Sequence, residues 1–275
     1  MAQITWLASY PKSGNTWLRA FLANYLSDGA QAIEINKLPY FSHGEMAGGL
    51  FQQIAQKPLS ALSEQQVQEL RPSVHRALAA LDRDPNLVKT HNALVNLFNI
   101  PIVTPQVTRN AIYVIRNPLD VVISYADHHG LTIDRAIEQM AREDNRTPTT
   151  EKLVFQFLGR WCDHAQSWLR APGLALHVVR YEDLLARPQV TFGAIGKFLG
   201  IAPKHSRLAR AIRRSSFRVL KTQEASAGFH ERSRHSEAFF RSGEAGQWRR
   251  TLNAAQIDRI VSTHGEVMAR HGYLP

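Results

Sequence analysis

The chain has 275 residues, 44% of them hydrophobic, and its 33 Lys+Arg against 23 Asp+Glu give a formal net charge of +10. That length suits one large α/β domain or two small ones, and the basic excess suits an anionic partner: nucleic acid, a membrane surface or an anionic small molecule. The single cysteine, Cys162, excludes an internal disulfide and a multi-cysteine zinc site and fits a reducing compartment. No stretch approaches 18 apolar residues, so no membrane span is expected. The N-terminal apolar run lacks the basic flank of a secretory signal. A cytoplasmic protein is expected.

Ile4–Tyr10, "ITWLASY", is a short apolar run rich in β-formers and predicts a buried strand. Thr16–Leu26, "TWLRAFLANYL", sets Trp17, Leu18, Phe21, Leu22, Tyr25 and Leu26 at helical spacing. The stretch between them, "SYPKSGNTW", is therefore a strand–loop–helix junction. A helix N-terminus offers unpaired N–H groups and partial positive charge to an anion. Gly14 lets the backbone approach closely, and Lys12 adds a full charge. The usual nucleotide loop ends in Gly-Lys-Ser/Thr; this one does not, and a surface turn with a solvated lysine is the plain alternative.

Ser63 and Gln66 form a capping box for the next helix. Leu87–His91, "LVKTH", predicts a second strand. Lys89 and His91 alternate with Val88 and Thr90 and project from one face of it. A histidine there suits a general base, although with 12 histidines in the chain any one is more often inert. Asn110–Pro118 predicts a third strand, followed by a helix through Val121, Val122 and Tyr125. Arg116 at the strand end and Ser124 eight residues on could clasp a second phosphate; a surface Arg116–Asp120 pair is the plain alternative. His128 and His129 are adjacent, so their side chains diverge, and no metal-ligand set is found beside the loop. Glu151–Leu169 predicts a long amphipathic helix with Trp161 and Trp168 in the core. Leu174–Leu184 predicts a fourth strand. Pro188 and Gly200 bracket a helix, and Asn253 with Gln256 caps the last one. Strands alternating with helices imply a central parallel β-sheet flanked by helices. Ligands of such sheets lie at the carboxyl ends of the strands, where each polar motif falls.

The ordered set "YPKSGNTW", "KTH", "RNPLDVVISY", "RYEDL" and "FFRSGEAGQW" resembles the cytosolic sulfotransferase family. The resemblance covers nearly the whole chain and implies a single domain, 1–275, with a P-loop-like nucleotide-binding core. It implies sulfonate transfer from 3′-phosphoadenosine 5′-phosphosulfate (PAPS) to a hydroxyl of a small-molecule or natural-product acceptor, without a metal and without nucleic acid as partner. By resemblance, Lys12 contacts the oxygen bridging phosphate and sulfate. Ser13, Gly14, Asn15 and Thr16 supply donors, and Trp17 lies near the adenine. His91 matches the base and Lys89 a lysine that steadies the sulfonate. Arg116 and Ser124 match the clasp on the 3′-phosphate. Tyr181 and Phe217 match adenine neighbours, with Ser215 at a polar contact. Arg241, Ser242 and Gly243 stand where the family commonly has Arg-Lys-Gly, so one cation is missing; Arg249 or Arg250 could replace it. The family's dimerisation segment is also altered here, at Arg249, Asn253–Ala254 and Asp258. A P-loop kinase or hydrolase would need Gly-Lys-Ser/Thr and a magnesium-holding acid, and a nucleic-acid-binding reading rests on charge alone, densest in "RLARAIRRSSFR" (207–218). Lys221–Arg241 shows no sustained period. It joins Phe217 to Arg241 and is expected to order over the cofactor as a lid.

Overall fold

Side-chain alternation along one strand sets the architecture. In β1 (Ile4–Ser9) every residue is buried. Ile4, Trp6 and Ala8 face one core cluster, and Leu7 faces the other. A strand covered on both faces reads as a continuous apolar run, which is why "ITWLAS" carries no polar alternation. The computed structural model describes residues 3–27, 29–81, 83–201 and 204–275. β1 is flanked on one side by β3 (Asn86–Thr90), itself bordered by β2 (His43–Gly44). On the other side lie β6 (Thr108–Ile115) and then β9 (Leu176–Arg180). The sheet order is β2-β3-β1-β6-β9 and every pairing is parallel. The chain departs in opposite directions on the two sides of β1, so the switch point lies at its carboxyl end. Two short antiparallel pairs stand apart: β4 (Asn96–Leu97) with β5 (Ile100–Pro101), and β7 (Arg146–Thr147) with β8 (Gln156–Phe157).

On the Trp6 face pack α2 (Gly48–Ala55), α3 (Glu64–Ala79), α4 (Pro118–His129), α5 (Ile133–Met140), α6 (Trp161–Leu169), α11 (Trp248–Thr251) and α12 (Ala254–Arg270). On the Leu7 face pack α1 (Asn15–Leu26), α7 (Tyr181–Ala186), α8 (Pro188–Phe198) and α9 (His205–Arg214). Phe21 of α1 stacks on Phe192 of α8 at 4.0 Å. Both capping boxes form as expected. A third cluster joins Ala20 and Ala23 of α1 to Ile35, Leu38, Leu220, Phe229 and Phe240. It ties α10 (Phe217–Ala227) and the chain beyond it to the outer side of α1.

Three expectations change. The helix over 151–169 begins only at Trp161. Upstream, Thr149 and Thr150 accept from the N–H groups of Phe155 and Leu153, and Asn92 accepts from Phe157 N. Those threonine bonds give the backbone an alternative to the helix. The fourth strand stops at Arg180, and Tyr181–Leu184 belong to α7. Finally, Lys221–Arg241 begins as helix, since α10 runs to Ala227. Only Leu220 and Glu224 of that helix are buried, too few for a visible period.

Candidate active site

The loop after β1 is shaped by two left-handed residues, Lys12 at φ 67° and Gly14 at φ 106°. A Cβ on Gly14 would sit 2.7 Å from Cδ2 of Tyr181. Glycine is thus required both by the backbone and by the ring against it. α1 starts at Asn15, and its first-turn N–H groups have no intrahelical partner. Gly14, Asn15, Thr16 and Trp17 line a cavity of about 740 Å³ at this point. The Asn15 side chain turns back to β1, donating to Leu7 O (2.9 Å) and Ser9 Oγ (3.3 Å), so toward the cavity it offers backbone only. Ser13 is buried and does not line the cavity; its Oγ has no partner among the described residues. Lys12 Nζ lies 3.5 Å from His128 Nδ1 and 4.1 Å from the centroid of Phe239. Burial, reinforced by Lys89, Arg116 and Arg241 and opposed by Asp127, brings its pKa down to about 8.

β3 delivers the second group. His91 Nδ1 is 2.8 Å from Ser9 O and 3.2 Å from Ser9 Oγ. A carbonyl only accepts, so Nδ1 carries the proton and Nε2 presents its lone pair. Burial and the neighbouring Lys89 hold the ring well below the usual histidine pKa, hence neutral. The main chain here is pinned from α6: His164 Nε2 donates to His91 O (3.0 Å), Tyr113 OH holds His164 Nδ1 (2.9 Å), and Trp168 Nε1 donates to Asn92 O (3.0 Å). Trp161 and Trp168 are core residues as expected. Lys89 Nζ is 2.9 Å from Glu231, whose other oxygen is 2.6 Å from Arg19. Burial works against the Glu231 charge, but Lys89 and Arg19 outweigh it and hold this carboxyl well below its usual range. Beneath β3, the buried Glu45 pairs with Arg71 and accepts from Asn92 Nδ2 (2.8 Å) and Thr90 Oγ1 (3.3 Å).

The third group surrounds Arg116. It donates to Lys12 O (3.1 Å) and Glu244 O (3.0 Å), and its guanidinium lies 4.2 Å from the Tyr181 centroid. Asp120 is not its partner; that carboxylate accepts from Gly246 N and Trp248 N. Ser124, Tyr181, Phe217, Arg241, Ser242 and Gly243 line the same cavity. A Cβ on Gly243 would lie 2.3 Å from the Phe217 ring, so this glycine lets the chain close on that ring. Trp17 meets Tyr181 and Phe192 edge-on, each at 5.7 Å.

Ser215 does not belong to the site. It is fully buried and its Oγ donates to Ala211 O in its own helix. Arg249 and Arg250 lie outside the lining, Arg249 over Trp248 (4.5 Å) and Arg250 on Glu244 (2.5 Å), so neither fills the place beside Ser242. His128 and His129 do line the cavity. Their rings stand at 88° to each other, in keeping with the expected divergence. Glu231, Arg19, Glu45 and His164 went unrecognised in the sequence, because each acts through partners distant in the chain.

The arrangement brings unpaired helix N–H groups, Lys12 and Arg116 to one end of a cavity and a neutral histidine with a free lone pair to its floor. Among the described residues of this lining, Trp17 Nε1 and Arg116 Nε are buried donors with no hydrogen-bond partner. Donors left unmatched in a pocket fit a polar anionic ligand. Gly14 and Gly243 let the main chain pack against the Tyr181 and Phe217 rings that border this end.

The sulfotransferase domain family model matches residues 3–272. Sulfotransferase 1A1 of Rattus norvegicus is 25% identical over 276 residues, covering 95% of this chain and 83% of that protein. Mouse sulfotransferase SULT7A1, solved in complex with PAP, shares the fold with a TM-score of 0.63 at 22% identity, over 98% of this chain and 84% of that one. Retinol dehydratase, solved with retinol and PAP, does so at 0.66 and 18%, over 97% and 81%.

Proposed function

Because the chain belongs to the sulfotransferase domain family, and is a PAPS-dependent enzyme of its cytosolic type, we propose that it sulfates a hydroxyl of a small acceptor with His91 as general base and Lys12 at the leaving phosphate. The observation that carries this reading is the convergence of Lys12, Arg116 and the His91 lone pair on one cavity. Bound PAPS supplies the sulfonate and the phosphate it leaves behind. The residues supply the rest. Lys12 and the first-turn N–H groups of α1 stabilise negative charge at the 5′ end. Arg116, Ser124 and Arg241 hold the 3′-phosphate, while Tyr181, Phe217 and Trp17 border the adenine. Lys89 steadies the sulfonate. His91 Nε2 takes the hydroxyl proton as the new oxygen–sulfur bond forms and the bond to the 5′-phosphate breaks. A sulfonate carries less charge than a terminal phosphate, so these cations suffice, and activity is expected to persist in EDTA.

Calorimetric titration with adenosine 3′,5′-bisphosphate (PAP), with ATP and duplex DNA as competitors, tests the assignment. PAP should bind and neither competitor displace it. Displacement by ATP would favour a P-loop kinase, and displacement by DNA a nucleic-acid-binding protein.

A further inference from the structure

Among the described residues, seven cationic side chains and one carboxylate, Glu231, line the cavity. Lys12, Arg116 and Arg241 face the two anionic groups of the cofactor in the reading above. Arg19 and Lys89 share Glu231. Two cations remain, Lys152 and Arg232, and among the described residues neither meets a carboxylate. They come from separate elements. Lys152 lies on the loop between β7 and β8, where its carbonyl accepts from Gly48 N (2.8 Å). Arg232 lies beyond α10; its main-chain N–H donates to Phe229 O (3.0 Å) and its guanidinium to Glu237 O (2.6 Å). The main chain at each is thus held while the charge stays exposed. His128 and His129, also in the lining, add no positive charge: burial and the nearby Lys12 bring them to about 3 and about 4.

One exposed lysine is ordinary surface. Two cations from independent elements that line one cavity, neither with a carboxylate partner among the described residues, offer charge to an anion that enters it. A neutral lipophilic acceptor would offer neither cation a partner. An oxyanion would match them, and the planar fork of Arg232 suits one.

Resting on the sulfotransferase reading, we propose that the acceptor is a hydroxy acid, its oxyanion received by Lys152 and Arg232 while its hydroxyl meets His91. The chemistry is unchanged: the acceptor oxygen bonds to sulfur, the sulfur–oxygen bond to the 5′-phosphate breaks, and the proton passes to His91 Nε2.

The test compares kcat/KM for 3-(4-hydroxyphenyl)propionate, its phosphonate analogue and its primary amide at saturating PAPS. The two acids should exceed the amide by about tenfold at low salt, and the preference should shrink as ionic strength rises. Lys152→Gln and Arg232→Gln should each pull the acid-to-amide ratio toward one, and the double variant further. Replacing Arg232 also removes its bond to Glu237, so Lys152→Gln, which leaves that bond in place, must lower the ratio by itself. PAP calorimetry on each variant reports whether the pocket still forms. An enzyme that binds PAP but prefers the amide, or whose acid-to-amide ratio in the variants stays at the parent's value, overturns the hydroxy-acid proposal alone. An enzyme that fails to bind PAP overturns the reading beneath it.

Discussion

At His91, Nδ1–H is committed to Ser9 O at 2.8 Å, so the residue can act as a base only through Nε2. His91→Ala should lower turnover by about 10²–10⁴-fold, the range of a positioned general base, while PAP affinity stays close to the parent. Full activity of this variant on an unactivated hydroxyl would remove the base role. Lys12 sets the alkaline limit. With its pKa brought to about 8 by burial, an anionic ligand that needs the ammonium must pull a proton in above that pH. PAP affinity should therefore be level below about pH 8 and fall above it, with proton uptake visible when calorimetry is repeated in buffers of different ionisation enthalpy. A level affinity up to pH 10 would show that Lys12 does not meet the ligand's charge. Beside Ser242, Arg249 and Arg250 are engaged elsewhere, over Trp248 and on Glu244. Ser242→Lys should tighten PAP, since a charged hydrogen bond is worth roughly 1.5–3 kcal/mol. Unchanged calorimetry would mean that the 3′-phosphate lies away from this position.

The chain from α10 to Arg241 lines the cavity through His230, Glu231, Phe239 and Arg241. Glu224 accepts from Phe239 N (2.7 Å) and Phe240 N (2.9 Å), Ser236 Oγ donates to Asp127 O (3.1 Å), and Glu231 reaches across to Arg19 and Lys89. The segment therefore closes on the same lysine that is proposed to steady the sulfonate. Hydrogen exchange over 228–240 should slow when PAP binds. Glu231→Gln, which keeps the size and loses the charge, should speed exchange there and reduce turnover, and Glu231→Asp should restore part of both. Equal exchange with and without PAP would make this stretch an ordinary loop.

Across the whole molecule, the strand end carrying Lys89 and His91 is held from below by a buried charge network. Glu45, Arg71 and His75 are all buried. Glu45 bonds to Thr90 and Asn92, Arg71 donates to Phe155 O (2.6 Å), and His75 bonds to Thr104 (2.8 Å). One cluster thus links β3, α3 and the chain ahead of α6. Removing one partner of a buried pair leaves the other charge uncompensated, at a loss of about 3–5 kcal/mol. Glu45→Ala should lower the urea midpoint accordingly, with turnover lost along with the fold of the β3 end. A midpoint like that of the parent would show that water replaces the carboxylate. No described helix is long and apolar enough to cross a membrane.

The apolar run of β1, the helical spacing of α1 and the capping boxes at Ser63 and Asn253 are local properties, so they were legible in the sequence together with the parallel sheet. The junction at Lys12–Trp17 and the strand ends at His91 and Arg116 were legible for the same reason: chain order and topology place them at one edge of the sheet. The limits of α6 and α10 were not, because threonine bonds at 149–150 and two buried residues on α10 overrode or hid the helical period. Only the tertiary structure joined Glu231 to Arg19 and Lys89, Glu45 to Arg71, and His164 to the backbone of His91. Such pairs lie 26 to more than 200 residues apart, and a charge's partner across that distance is chosen by packing, which no local pattern records. The same packing turned Ser215 into its own helix and left Lys152 and Arg232 lining one cavity with no carboxylate partner among the described residues.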